Sequence, residues 1–316
     1  MSAKIPKGIK TALKILVSLS GLALIFYKVP FASVCGHWHA SALPWLLLML
    51  LATFFSMLIQ ANRWKGLLLE AGKLIPFRTY YAYIALGYFF NNLLPGGFGG
   101  DAVKSVALGK RFKQTAQSVA AILVSRITGL LAMFLCFFIA LPFVLARYAV
   151  PLAYTLTMVA ATAVSVAVIA GCLFADKLNL PRMLREKITF LPKLQNAFSL
   201  YRGHHRQFML SALDSVWLQL LSVFIHYSYF RAVGLTVDIA TITVFTAITI
   251  TIAMVPVSIN GIGIREGVQV SLYTGLLHIP ADVVLSASLL GYILTLFQVV
   301  QGAFVFAAGK RGGRSA

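Results

Sequence analysis

The sequence predicts an all-α polytopic membrane protein: about six full transmembrane helices plus two broken, re-entrant hairpins, eight hydrophobic segments arranged as an inverted repeat. Three observations predict it. Hydrophobic residues make up 59% of the 316 and charged residues only 11%, against roughly 25% charged in soluble domains. Apolar stretches long enough to cross a bilayer recur at 11–28, 43–61, 114–146, 152–175, 208–230 and 281–309. The basic residues gather in blocks between these stretches, so the formal charge of +19 reads as membrane orientation rather than nucleic-acid binding.

Taken in order, the first stretch follows Lys4, Lys7, Lys10 and Lys14 and lacks an A-x-A cleavage site, so it is expected to stay as a first helix. The whole chain, 1–316, is then one integral membrane domain. The basic segments 1–14, 62–79, 104–113, 176–206 and 310–316 are all expected in the cytoplasm, with both termini, and 176–206 as a basic cytoplasmic loop. That requires 80–103 to enter and return on the inner side and 239–278 to do so on the outer side. The alternative, with both segments crossing fully, puts equal numbers of basic residues on the two sides and leaves no positive-inside bias.

Both disputed segments carry an interruption. LLPGGFGGDAVKSVALGK, residues 93–110, and MVPVSINGIGIREGVQVSLY, residues 254–273, each place a proline, then glycines, then a charged residue opening a new helix. The order long helix, broken segment, long helix occurs twice: repeat 1 over 43–146 with its break in 80–109, repeat 2 over 208–309 with its break in 239–277. Paired interruptions in two inverted halves point to a transporter's binding site, because irregular backbone at membrane depth needs protein or a wet cavity around it.

The short helices starting near Asp101 and Ile264 would aim their amide ends at an anion. Lys104, Arg126 and Arg265 are the basic side chains expected beside them, and Arg126, mid-span in LVSRITGLL, costs about 3 kcal/mol in lipid unless it faces the interior. The guanidinium fork suits phosphate. Gly99, Gly100, Gly261 and Gly263 would supply turn amides, and Asn91 and Asn92 would orient a polar guest or cap the first hairpin's helix. Asp101, Glu266 and Asp214 either pair with these arginines or titrate and couple transport. No cofactor, metal or catalytic group is expected. His37 and His39 flank Trp38 as an interfacial aromatic anchor, and 180–194 reads as an interfacial helix on anionic lipid.

NNLLPGGFGGDAVKSVALGK with the following SRITGLLA, and PVSINGIGIREG, resemble the lysylphosphatidylglycerol synthase transmembrane-region family, a flippase-like domain found alone or ahead of a soluble aminoacyl-transferase domain in the bacterial multiple peptide resistance factor. Pro95, Gly96, Gly99, Gly100 and Asp101 meet its P-G-x-x-G-G-D pattern, and Arg265, Glu266 and Gly267 its R-E-G. Lys104 stands where the family often has Arg, and Ser125 where an acid is common. The resemblance implies a protein of the cell inner membrane that moves lipid between leaflets, here without the transferase domain and its activity. The expected guest is an anionic phospholipid or a polyprenyl phosphate, and the protein partners compatible with this are a second copy of the chain or an envelope-synthesis enzyme. Rival readings are a non-transporting partner of such an enzyme and an integral-membrane lipid-phosphate transferase.

Overall fold

The computed structural model describes residues 27, 31–93, 99–174, 201, 203–255, 258 and 261–312. Most of the stretch expected as a first helix, the basic loop 176–206 apart from its last residues, and the turn tips containing Pro95, Gly96 and Pro256 lie outside the described residues. The described chain is helical throughout: α1 (Phe31–Gly36), α2 (Leu43–Leu67), α3 (Leu69–Lys73), α4 (Phe77–Leu93), α5 (Gly99–Arg111), α6 (Thr115–Leu145), α7 (Leu152–Phe174), α8 (His205–Ala232), α9 (Ile239–Ala253), α10 (Ile264–Leu277) and α11 (Ala281–Gly312).

Among the described residues, four stretches are long and apolar enough to cross a membrane: Ala40–Leu67, Gln117–Leu145, His205–Ala232 and Ala281–Ala308, in α2, α6, α8 and α11. Their packing is the reverse of a soluble bundle's. On α8, Ser211, Ser215 and Gln219 face inward at four-residue spacing, while Met209, Leu213, Trp217 and Leu220 are exposed. In water this arrangement would waste the hydrophobic effect; in lipid it puts hydrocarbon outside and hydrogen-bonding groups between helices.

Both interrupted segments fold as antiparallel hairpins. In the first, Asn91 meets Gly100 while Gly87 lies against Lys104; in the second, Ala253 meets Gly261 while Phe245 packs on Tyr273. The nested pairing means the chain turns back at the break. α9 is rich in β-branched residues, yet Thr241 through Thr249 are all buried in a helix. Tertiary packing overrides its strand-like composition, and Asp238 caps its start by accepting from the Thr241 amide at 2.9 Å and the Thr241 hydroxyl at 2.6 Å.

The neighbours form a self-consistent pattern. α2 packs on α8; α4 packs on α11 and α9 on α6; α5 packs on α6 and α10 on α11. Exchanging α2, α4–α5 and α6 for α8, α9–α10 and α11 returns the same set of contacts.

The HWH motif makes bonds between helices. The His37 ring bonds Asp282 at 3.1 Å, Trp38 Nε1 donates to the Ser286 carbonyl at 3.2 Å, and the Ser286 hydroxyl donates to the Val34 carbonyl at 2.5 Å. These bonds clasp α1 to the start of α11.

Where hairpin helices meet long ones, small residues set the distance. A Cβ at Gly302 would run into the Ala85 carbonyl oxygen across the α4–α11 contact, whereas nothing lies within 4 Å of one at Gly275. Gly302→Leu is therefore expected to lower the melting temperature of the purified protein by several degrees or prevent its folding, and Gly275→Ala to leave it unchanged or slightly raised; thermal unfolding in detergent measures both.

Candidate functional site

The first hairpin is closed by one side chain. Asn91 Oδ1 accepts from the Gly100 amide at 2.7 Å, tying the end of α4 to the start of α5. Gly100 is a glycine for closeness: a Cβ there would collide with the Gly87 carbonyl. This tight approach drives the first turn of α5 into the bundle, with Asp101 only 7% exposed. Its carboxylate is shared between two cations. Lys104 Nζ lies 2.6 Å from Oδ1, one turn along the same helix, and Arg126 Nε donates to Oδ2 at 2.6 Å from α6, with its Nη2 on the same oxygen. The acid also sits where the helix dipole favours negative charge. Lys104 Nζ lies 5.8 Å from the Trp64 ring centroid.

The second hairpin solves the same problem differently. Gly261 and Gly263 have φ of 75° and 83°, which a side chain would oppose, so here the glycines serve the turn itself. Glu266 is fully buried. Its Oε2 accepts from the Gly263 amide at 2.8 Å, capping α10, while Oε1 takes Arg265 Nε at 3.0 Å, Arg265 Nη2 at 2.9 Å and the Tyr292 hydroxyl at 3.1 Å. The Arg265 guanidinium also lies 5.0 Å from the Tyr292 ring centroid.

Two cavities open beside these turns. The first, about 400 Å³, is lined by Asp101, Lys104 and Arg126 together with Arg63, Asn91 and Gln219 among others. The second, about 360 Å³, contains Arg265, His226, Tyr229 and Gln269. Gln60, Tyr88 and Ile250 line both and form the partition between them. Across it Gln60 Nε2 donates to the Tyr88 oxygen at 2.8 Å, and the Tyr88 hydroxyl lies 3.1 Å from Gln60 Oε1.

The expected residues thus divide. Asp101, Lys104, Arg126 and Asn91 converge on one cavity, and Arg265 lies in its neighbour, so the three cations expected around one guest are split between two chambers. Asp214 lines a separate cavity of about 250 Å³ with Asn62, Lys65 and Lys73. Asn92 donates to the Tyr88 carbonyl at 3.0 Å within α4 and lines neither of the two chambers. The amides of Gly100 and Gly263, expected to face a guest, are engaged by Asn91 and Glu266.

Arg63 was not foreseen. The basic segment 62–79 reads as a cytoplasmic flank, but α2 continues to Leu67 and carries Arg63 into the first cavity, where Nη1 donates to the Ser215 hydroxyl at 2.8 Å. Ser215 in turn donates to Thr128 at 3.1 Å or to the Ser211 carbonyl at 2.8 Å. The signal was present: Gln60, Arg63, Trp64 and Leu67 continue the helical stripe begun by Met49, Thr53 and Met57.

A family model described as the lysylphosphatidylglycerol synthase TM region matches residues 11–302. No curated protein matches the chain. The matched span contains both hairpins and all four long helices apart from the last residues of α11.

The geometry around Glu266 generates a prediction. Removing its carboxylate strips the cap from α10 and leaves Arg265 without its buried partner, a loss of about 3–5 kcal/mol for buried pairs in general. Glu266→Ala should unfold at markedly lower denaturant or temperature than wild type, and Glu266→Gln, which keeps an acceptor for the Gly263 amide, should fall between them.

Proposed function

The chain belongs to the lysylphosphatidylglycerol synthase transmembrane-region family, a membrane domain tied to lipid metabolism, and from that premise we propose that it moves an anionic, phosphate-bearing lipid between the leaflets of the cytoplasmic membrane. One observation carries the reading: a cavity inside a lipid-facing bundle whose described lining holds Arg63, Lys104 and Arg126 against one carboxylate, that of Asp101. Cations at membrane depth are costly and mark the path of an anion. The headgroup enters this chamber while its hydrocarbon chain stays in the bilayer.

In this reading the two hairpins belong to repeats of opposite orientation, which the exchange symmetry of the helix contacts and the antiparallel packing of α2 on α8, Trp45 on Tyr227 and Arg63 on Ser215, support; the basic segments put both termini in the cytoplasm. Rocking of one repeat against the other exposes the first and second chambers in turn. The headgroup passes the Gln60–Tyr88 partition, and the Asp101 and Glu266 ion pairs reform behind it as gates. Asp101 is the group a phosphate displaces, since it holds the same two cations that the phosphate would take.

The test is reconstitution into vesicles carrying a headgroup-labelled anionic lipid, with translocation followed by quenching of the outer leaflet. Lys104→Ala/Arg126→Ala should lower the rate at least tenfold while the protein elutes as wild type in size exclusion; an unchanged rate would sink the assignment. Tyr88→Phe removes the hydroxyl that bonds Gln60 across the partition and is expected to raise the rate severalfold, read in the same vesicles.

A further inference from the structure

The charges of the first cavity do not balance, and the size of the imbalance points to a class of headgroup. Three cations, Arg63, Lys104 and Arg126, line it from α2, α5 and α6, with Asp101 as the one acid among the described lining residues. Both Asp101 oxygens are taken, Oδ1 by Lys104 and Oδ2 by Arg126. Arg63 is held by the neutral Ser215 hydroxyl, and its Nε, shielded from solvent, has no hydrogen-bond partner among the described residues. Arg63 also borders the adjoining cavity, where the Asp214 charge acts on it without forming an ion pair and where Asn62 bonds the Asp214 carboxylate. The described lining therefore carries a formal charge of about +2, offset only from the next cavity by Asp214, in a place where unpaired charge is strongly disfavoured.

We infer that the cavity is built for a lipid whose headgroup ends in a phosphate monoester, rather than a phosphodiester or an aminoacylated phospholipid. The inference rests on the proposed lipid-moving function and narrows its substrate. A monoester carries about −1.5 to −2 at pH 7, with a second ionisation near pH 6, and presents three terminal oxygens. Those oxygens match three cationic side chains converging from three helices, two of them guanidinium forks suited to phosphate. A phosphodiester brings one negative charge and leaves the lining at about +1. An aminoacylated headgroup adds an ammonium that would face Arg63, Lys104 and Arg126. Neutral donors complete the shell around a monoester: the Asn91 and Gln219 amides and the Ser125 hydroxyl also line the cavity.

The test uses the full chain in nanodiscs of neutral lipid. Binding of phosphatidic acid, phosphatidylglycerol and lysylphosphatidylglycerol with identical acyl chains, and of inorganic phosphate, is measured by native mass spectrometry and by calorimetric titration. Phosphatidic acid should bind at least tenfold more tightly than either phosphodiester at pH 8, and its advantage should shrink severalfold at pH 5, where the monoester holds its second proton. Arg63→Gln should bring the preference to within about threefold; because that variant can fail to fold, the pH dependence of wild type stands as the independent measure. Equal or tighter binding of either phosphodiester overturns the monoester assignment while leaving the lipid-moving reading in place. Inorganic phosphate binding as tightly as phosphatidic acid overturns the lipid headgroup as the source. No saturable binding of any lipid overturns the inference and the function it rests on.

Discussion

A helix that stops inside a bilayer leaves backbone amides and carbonyls with no water to satisfy them, and the structure of this protein follows from that constraint. Each hairpin stops and restarts a helix within the bundle, so each restart needs an acceptor from elsewhere in the chain. Asn91 supplies it to Gly100 and Glu266 to Gly263, while Asp238 does the same for Thr241 where α9 enters the second hairpin. Two of these three acceptors sit at the very turns that face the cavities. The side chains that cap the turns thus hold the charged first turns of α5 and α10 beside the chambers, and no separate device is needed to bring Asp101 and Arg265 into the bundle. The four long helices then serve as a wall, with hydrocarbon outward and serine, threonine and glutamine inward.

Much of this was legible in the sequence, and the reason differs by level. A run of twenty apolar residues has one common solution in lipid, so α2, α6, α8 and α11 could be placed to within a few residues. The paired Pro/Gly interruptions gave the hairpins because proline and glycine act locally, on dihedrals and donors. The ion pairs were narrowed to alternatives: Arg126 needed an anion, and Asp101, 25 residues away in sequence, turned out to be it because α5 folds back against α6.

What failed to be legible depends on helix rotation and helix ends. Arg63 was misread because a charged residue after an apolar run looks like a loop, whereas six further residues of helix turn it inward beside Trp64. Gly100 was read as a turn residue, but its lack of a side chain matters across space, against Gly87, and that contact has no signature in local spacing. Asp214 lies on α8 as expected, yet which of three neighbouring cavities a mid-helix residue faces depends on packing angles that hydrophobicity does not encode.

The two halves share a pattern of contacts without sharing their chemistry, and the difference bears on how a lipid would move. In the second chamber Arg265 is matched one to one by Glu266, which is itself locked by a cap and by Tyr292. In the first, one carboxylate is divided among cations that outnumber it. An anion bound in the first chamber completes its charge, whereas in the second it must compete with a carboxylate that is already fully coordinated. Under the proposed function, exchange between the chambers would then be uphill in electrostatic terms from the first to the second. Two equal chambers would let a headgroup equilibrate; two unequal ones would hold it on one side of the Gln60–Tyr88 partition until some other free energy, an ion gradient or consumption of the lipid on the far side, drew it across.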